Sequence, residues 1–150
     1  MNVVFLHGLG QFPSSWNETI SYLPEDTKTY CPNLFAFRTA RAITYQNIYF
    51  SFEEYADKFP EPVTICGISF GAVLALNYCL NYAEKVQSLI LIAPQYKMPR
   101  DLLKFQNILF HIMPEKSFLE IGIKKQEMIH LTSSMMILDF EQDLRNPYSV

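Results

Sequence analysis

Gly67-Ile68-Ser69-Phe70-Gly71 carries more information about the architecture of this protein than any other stretch of it. It directly follows an apolar run, Val63–Cys66, and directly precedes a helical pattern over Ala72–Val86. In this setting of strand, sharp turn and helix, Gly-x-Ser-x-Gly lifts a serine hydroxyl to the top of a sheet. The sequence therefore predicts a nucleophile elbow with Ser69 at its tip.

One alternative for this motif is a tight glycine turn that holds an incidental serine. The chain has only five glycines in 150 residues, which is below average usage, so a chance match to the motif is uncommon here. Its position between a strand and a helix is the context that the motif requires. We therefore favour a functional Ser69 and keep the incidental turn as the alternative.

Outward from the motif, predicted strands and helices alternate over the first two thirds of the chain. Three further apolar runs predict strands, at Asn2–Leu6, Thr29–Cys31 and Ser88–Ala93. Three capping boxes of the form Ser-x-x-Glu predict helix starts, at residues 15–18, 51–54 and 117–120. Residues 33–50 have no clean period and are predicted to be loop.

This alternation predicts the α/β fold class, with a mainly parallel sheet that carries helices on both faces. The unbroken apolar run Ser88–Ala93 is typical of a strand covered on both faces. The helix after Ser69 is apolar nearly all round, so we expect it deep in the core. Pro99–Leu144 has only helical patterns, so we interpret residues 1–97 as the core and 98–150 as a helical cap or lid of the same domain.

Two apolar stripes in the helical segment predict helix faces that pack. One is formed by Leu102, Phe105, Leu109 and Ile112, and the other by Met128, Leu131, Met135 and Met136. The methionines could line an apolar acyl pocket, but ordinary packing is the commoner role of such a stripe.

Composition excludes several classes of function. The net charge of −3 and the absence of basic clusters argue against a nucleic-acid partner. No apolar run is long enough to span a membrane, and the first residues lack a targeting signal. Three cysteines without metal-like spacing indicate free thiols and a cytoplasmic protein, and no metal or cofactor is expected.

The loop after the first predicted strand is the expected partner of the serine. If the second and third strands flank the first, ligands bind beyond the carboxyl ends of the strands, where this loop and the elbow meet. The loop is His7-Gly8-Leu9-Gly10, and its plain alternative is a strand-to-helix turn. We predict that the amides of Leu9 and Phe70 hold an oxyanion, and that Leu9, Gly10 and Gln95 bind substrate.

His7-Gly8-Leu9-Gly10, the following Trp16 and Gly67-Ile68-Ser69-Phe70-Gly71 together resemble the α/β-hydrolase fold superfamily, in its small capped esterase-like branch. The resemblance covers essentially the whole chain. It implies that Ser69 is the nucleophile, that Leu9 and Phe70 are the oxyanion donors, and that His7 shapes the loop. A serine at the elbow disfavours the dehalogenase-like and epoxide-hydrolase-like branches, which have aspartate there.

The resemblance also implies a catalytic acid and a histidine after the cap, in the chain order Ser, Asp or Glu, His. Since the sequence ends at Val150, we expect it to be truncated before these residues. His111 and His130 fall on predicted cap helices, where surface or interface roles are commoner. Asp139 and Asp143 lie in a polar tail, so no convincing triad can be assembled from the residues present.

Two functional hypotheses follow. The first is a serine hydrolase that acts on a small ester or acyl substrate through an acyl-enzyme at Ser69. The second is a catalytically incomplete fragment or pseudo-enzyme that retains a binding or assembly surface. Under either hypothesis, Leu89–Ala93 is expected to be an exposed apolar sheet edge because no further strand follows it, so we expect self-association.

Cys66, beside the elbow, is an alternative nucleophile. Because Cys66 lies inside a predicted buried strand, we interpret it as an inert, packed thiol. We interpret Cys31 and Cys79 in the same way.

Overall fold

The computed structural model describes residues 1–37 and 42–145. In this part of the chain, four parallel strands form one sheet in the order β2-β1-β3-β4. The strands are β1 (Asn2–Leu6), β2 (Lys28–Tyr30), β3 (Val63–Ile68) and β4 (Val86–Ile92). The second and third strands flank the first, so the strand order reverses at β1 and the condition set for a site at this end of the sheet is met. The α/β fold class is confirmed.

The helices are α1 (Asn17–Ser21), α2 (Tyr45–Ala56), α3 (Phe70–Asn81), α4 (Arg100–Ile112), α5 (Lys116–Leu119), α6 (Lys125–Met135) and α7 (Glu141–Arg145). Short 3₁₀ helices lie at Pro13–Trp16, Leu34–Ala36 and Ala83–Lys85. Among the described residues, no helix is both long enough and apolar enough to pass through a lipid bilayer.

The predicted loop over residues 33–50 is wrong, because α2 already begins at Tyr45. The Thr44 side chain accepts a hydrogen bond from the Asn47 N–H at 3.3 Å and caps the helix there. Ser51, the predicted cap, lies inside α2 and donates to the Asn47 carbonyl oxygen at 3.0 Å. Part of the predicted loop, residues 38–41, lies outside the described residues.

The other two predicted capping boxes are also displaced from the helix starts. A 3₁₀ turn begins at Pro13 and leads into α1, so Ser15 lies within the helical stretch. Helix α5 begins at Lys116, one residue before the predicted cap Ser117. At these two positions the Ser-x-x-Glu pattern does not mark the first residue of the helix.

Helix α3 is buried on nearly all sides, which confirms the prediction of a core helix. The residues from Phe70 to Leu76 are all buried, and so is Tyr78. The helix ends at Asn81 rather than at Val86, because the Tyr82 backbone (φ −140°, ψ 53°) is no longer helical. Val86 instead begins β4.

Strand β4 lies at one edge of the sheet, so only part of its apolar run is covered. Leu89 and Leu91 pack against the main core. On the opposite face Ile90 is 50% exposed and Ile92 is 42% exposed. The prediction that both faces of this strand are covered is therefore wrong for the described residues, whereas the predicted edge position is confirmed.

The segment after β4 is mainly helical, and its two ends pair with each other. Lys97 and Asp139 form an antiparallel bridge, and hydrogen bonds join Met98 N to Leu138 O (3.1 Å) and Phe140 N to Tyr96 O (2.7 Å). The Lys97 ammonium lies 3.3 Å from the Asp139 carboxylate. We call residues 98–138, which run between the two paired ends, the helical excursion.

Within the helical excursion, α6 packs as predicted but α4 does not. Met128, Leu131 and Met135 of α6 are buried, and the Tyr45 N–H of α2 donates to the Ser134 hydroxyl at 2.8 Å. The predicted α4 stripe of Leu102, Phe105, Leu109 and Ile112 is instead exposed. The α4 face that meets α6 carries Leu103 and Asn107, and Asn107 donates to the Ser133 hydroxyl at 2.8 Å.

Candidate active site

Ser69 stands at the junction of β3 and α3 in a strained backbone conformation. Its φ of 51° and ψ of −114° lie outside the regions that L-residues favour. Hydrogen bonds hold this conformation on both sides, from Ser69 N to Ile92 O (2.9 Å) and from Val73 N to Ser69 O (3.1 Å). The residue is exposed although its neighbours Gly67 and Phe70 are buried, so the turn presents the hydroxyl to solvent.

The two glycines of the motif are required by close backbone contacts. A Cβ on Gly71 would lie 2.2 Å from the Leu6 carbonyl oxygen, and a Cβ on Gly67 would lie 2.4 Å from the Gly71 carbonyl oxygen. These contacts are with main-chain atoms, which cannot rotate away as a side chain can. Glycine at both positions therefore lets α3 start directly against β1 and β3.

The loop after β1 meets the elbow at Gly8. A Cβ built on Gly8 would lie 3.4 Å from the Cβ of Ser69, so the two segments are in contact. The Gln11 side-chain oxygen accepts a hydrogen bond from the Gly8 N–H at 2.8 Å, and the Gln11 N–H donates to the Gly8 carbonyl at 3.3 Å. Leu9 and Gly10 form the tip of this closed turn. Gly10 has a φ of 72°, a left-handed conformation that glycine adopts without strain.

His7 is completely buried, and both of its ring nitrogens have partners. The Leu34 N–H donates to Nε2 at 3.1 Å, so the proton is on Nδ1, which lies 2.9 Å from the Gly8 carbonyl oxygen. Burial lowers the pKa of His7, and the hydrogen bond to Gly8 offsets part of that effect. The ring is therefore neutral and ties the loop after β1 to the segment after β2, with both of its nitrogens engaged.

The other ionisable candidates are engaged elsewhere. His111 Nδ1 lies 2.7 Å from the Asn107 carbonyl oxygen, and His130 Nε2 lies 3.1 Å from Gln126 Nε2. The backbone N–H of Glu141 and the Lys97 ammonium lower the pKa of the Asp139 carboxyl. Asp143 is exposed, and in residues 1–37 and 42–145 no hydrogen bond reaches the Ser69 hydroxyl.

Gln95 follows β4 and is exposed, and its role in binding substrate stays a prediction. The described part of the chain holds no cluster of three or more His, Cys, Asp or Glu side chains that could bind a metal ion.

The cysteines lie in apolar surroundings. Cys66 is buried in β3, and burial raises its pKa. Burial also raises the pKa of Cys31 and of Cys79. A thiol with a raised pKa carries little thiolate, so Cys66 is a poor nucleophile beside an exposed serine.

Two residues that support the site are not among those predicted from the sequence. One is Gln11, whose position just after a glycine-containing loop was the available signal. The other is Phe35, which packs edge-on against the His7 ring (5.3 Å between centroids) and stacks on the Phe70 ring (6.3 Å). No sequence signal marks Phe35, because these contacts depend on the adjacency of β2, β1 and β3.

Comparisons with known proteins agree with the fold. A profile described as the alpha/beta hydrolase family matches residues 3–135. Two curated relatives are each named pimeloyl-[acyl-carrier protein] methyl ester esterase. The Wigglesworthia glossinidia brevipalpis protein is 32% identical over 95 residues, which is 62% of this chain. The Nitrosomonas europaea protein is 26% identical over 92 residues, which is 61% of this chain.

These matches span 36% of each relative, so the chain corresponds to about a third of the length of the curated relatives. Among solved structures, a hydrolase from Pseudomonas aeruginosa PA01 superposes with a TM-score of 0.76 and 10% sequence identity. That match covers 95% of this chain and 66% of the other. At this level of identity the likeness shows a shared fold.

Proposed function

Because this chain belongs to the alpha/beta hydrolase family, we propose that it is a serine hydrolase that acts on a small carboxylic ester or a related acyl compound. The observation that carries the proposal is the exposed Ser69, held at φ 51° and in contact with the glycine loop after β1. The methyl ester esterase names of the two curated relatives support an ester as the substrate class.

In the proposed reaction, the Ser69 Oγ attacks the substrate carbonyl carbon, and the electron pair of the C=O bond moves to oxygen. The amides of Leu9 and Phe70 donate to that oxyanion, and its collapse expels the alcohol and leaves an acyl-enzyme, which water hydrolyses. Loss of one such amide donor typically slows a reaction by about 10² to 10³. Gln11 supports this step by closing the turn that carries Leu9.

The Ser69 proton must pass to a base, because a serine hydroxyl is otherwise a weak nucleophile. His7 is excluded from this role by its two hydrogen bonds. We therefore assign the base and its acidic partner to residues outside those described. We further propose that the helical excursion acts as the cap over the site, and that the free thiols reflect a cytoplasmic location.

A serine-directed fluorophosphonate tests the proposed nucleophile. On a chain that includes the base and the acidic partner assigned above, we expect one phosphonyl adduct on the peptide that contains Ser69, and no adduct on Ser69→Ala, measured by mass spectrometry. Ser88→Ala is the matched control, since Ser88 is an exposed serine of the neighbouring strand β4, and it should label like the unaltered chain. Labelling of Ser69→Ala to the same extent, or no labelling of the unaltered chain, contradicts the proposed mechanism.

The edge strand β4 favours a second function, as an assembly surface. Its seven residues, Val86–Ile92, include no charged residue and no proline. Charged side chains and prolines are what usually prevents an edge strand from pairing with another chain. Ile90 and Ile92 add exposed apolar side chains on one face. We propose that β4 pairs with β4 of a second copy of this chain.

Sedimentation velocity over a concentration series tests this pairing. We expect dimers or larger species for the unaltered chain, and an at least tenfold weaker association for Ile90→Lys, because a lysine charge opposes burial at the edge. Ile108→Lys is the matched control, since Ile108 on α4 is similarly exposed (59% against 50%). A chain that stays monomeric at high concentration, or an equal effect of both variants, contradicts the proposal.

A further inference from the structure

Tyr78 is a buried tyrosine of α3, and no hydrogen bond in the described part of the chain reaches its hydroxyl. Its side chain is 1% exposed, and its ring packs against Phe52 (5.2 Å between centroids) and Tyr82 (5.0 Å). Buried tyrosine hydroxyls usually have a partner. Among the described residues, Trp16 Nε1 is the only enclosed side-chain polar atom that lacks one. The small exposed area of Tyr78 therefore includes its hydroxyl.

The Tyr78 side chain lines a cavity at the start of β3, which we call the basal cavity. The volume of the basal cavity is about 170 Å³. Its apolar wall comes from the end of α2 and the loop that leads into β3, and consists of Ala56, Phe59, Pro60, Pro62 and Val63. Prolines fix the backbone φ, so this wall keeps its shape without a ligand.

The basal cavity and Ser69 lie at opposite ends of β3. Val63 is the first residue of the strand, and Ser69 directly follows its last residue, Ile68. A strand advances about 3.3 Å per residue, so about 20 Å separates Val63 from Ser69. A ligand in the basal cavity therefore does not touch the proposed nucleophile, and its binding is independent of the proposed hydrolase reaction.

Two carboxylates at the rim of the basal cavity have no hydrogen-bond or ion-pair partner in residues 1–37 and 42–145. They belong to Glu61 and Glu84, which are both exposed. The third charged lining residue, Lys85, is already paired, since its ammonium lies 2.5 Å from the Asp57 carboxylate. The charge that is left to interact with a ligand is therefore negative.

The Tyr78 hydroxyl lies near these charges. Burial raises its pKa, the Lys85 ammonium lowers it, and the carboxylates of Asp57 and Glu84 raise it. Electrostatic effects of this kind fall off with distance, so the hydroxyl faces the charged rim. With a raised pKa it stays neutral at neutral pH, and its oxygen can accept a hydrogen bond from a charged N–H group.

We propose that the basal cavity binds a primary ammonium compound whose apolar part is about the size of one ring. The ammonium group donates to the Tyr78 hydroxyl, and the carboxylates of Glu61 and Glu84 offset its charge. The apolar part packs against the proline-containing wall. An apolar cavity of roughly 150 Å³ accepts benzene, so 170 Å³ has room for one six-membered ring. A ligand with a carboxylate would instead be repelled by the rim.

Titration of the unaltered chain with benzylamine, followed by amide NMR signals, tests the site. We expect shifts centred on Val63, Tyr78 and Glu84. Benzylamine should bind roughly tenfold more tightly than benzoate, because repulsion from the rim replaces attraction to it. It should also bind roughly tenfold more tightly than methylamine, which lacks the ring. An affinity for benzoate or methylamine equal to that for benzylamine, or shifts elsewhere in the protein, overturns the proposal.

Tyr78→Phe removes the hydroxyl and keeps the ring, so it should weaken benzylamine binding about fivefold. The thermal midpoint should not fall, because that hydroxyl has no partner among the described residues. Tyr45→Phe is the matched control, since Tyr45 is also buried (2% exposed) but its hydroxyl accepts from Asn77 Nδ2 at 3.0 Å. Tyr45→Phe should lower the midpoint and bind benzylamine normally. Unchanged binding by Tyr78→Phe overturns the site.

A second variant decides if Tyr78→Phe does not fold. Glu84→Gln removes one rim charge at an exposed position and should weaken benzylamine binding about threefold. Glu120→Gln is its control, because Glu120 is an exposed glutamate of the helical excursion and does not line the basal cavity. An equal effect of the two glutamine variants, or none from Glu84→Gln, contradicts an ammonium site.

Discussion

Replacing Gly71 by alanine should lower the free energy of unfolding by more than about 3 kcal/mol, or prevent folding altogether. The added Cβ would lie 2.2 Å from the Leu6 carbonyl oxygen and 2.8 Å from that of His7. To relieve these contacts, α3 would have to move away from β1, in the most buried part of the chain. Urea unfolding followed by far-UV circular dichroism measures the effect.

Gly10→Ala is the matched control for this prediction. Gly10 also tolerates alanine poorly because of its φ of 72°, but nothing lies within 4 Å of its Cβ position. Gly10→Ala should therefore lower the free energy of unfolding by only about 1 to 2 kcal/mol, which is the strain of an alanine in the left-handed conformation. Equal stability losses in the two variants would show that the close approach of α3 to β1 is not what requires Gly71.

Acidification below about pH 6.5, the usual pKa of an unfolded histidine, should destabilise the protein through His7. Burial lowers the pKa of His7 in the folded state, so the unfolded chain binds more protons between the two pKa values. The free energy of unfolding then falls as the pH falls, with a slope approaching about 1.4 kcal/mol per pH unit. Protonation also removes the acceptor for the Leu34 N–H. Urea unfolding between pH 8 and pH 5 measures this slope.

Two variants isolate the contribution of His7. His7→Gln keeps a polar side chain but does not titrate, so the slope between pH 6.5 and pH 5 should flatten. His130→Gln changes an exposed histidine and should keep the slope of the unaltered chain. If His7→Gln retains the full slope, the acid sensitivity originates elsewhere.

The elbow was predictable because its determinants are local. A strand, a Gly-x-Ser-x-Gly turn and a helix are consecutive in the chain, and the steric need for glycine at Gly67 acts against Gly71, four residues on. The need at Gly71 comes instead from Leu6 of β1, which the sequence pattern does not show. The parallel sheet followed from the alternation of strands and helices, whereas the order of its strands stayed a condition, since several arrangements of parallel strands joined by helices are possible.

Helix starts and exposed faces were less predictable. The Ser-x-x-Glu pattern at Ser51 is as good a local signal as the Thr44 cap, yet the packing of Tyr45 and Ile48 against the core begins α2 earlier. Likewise, the apolar stripe of α4 gave no indication of which side of that helix meets α6. The contact there is made by Leu103 and by the polar pair Asn107 and Ser133.

The amino-acid sequence alone determined the fold class and the position of Ser69, since both depend on patterns within a few neighbouring residues. Tertiary structure decided what lies around that serine. It removed His7 from the candidate bases by burying it between Leu34 and Gly8, and it placed Phe35 against Phe70. Such contacts join residues up to 35 positions apart, and only the pairing of strands and the burial of apolar surface bring them together.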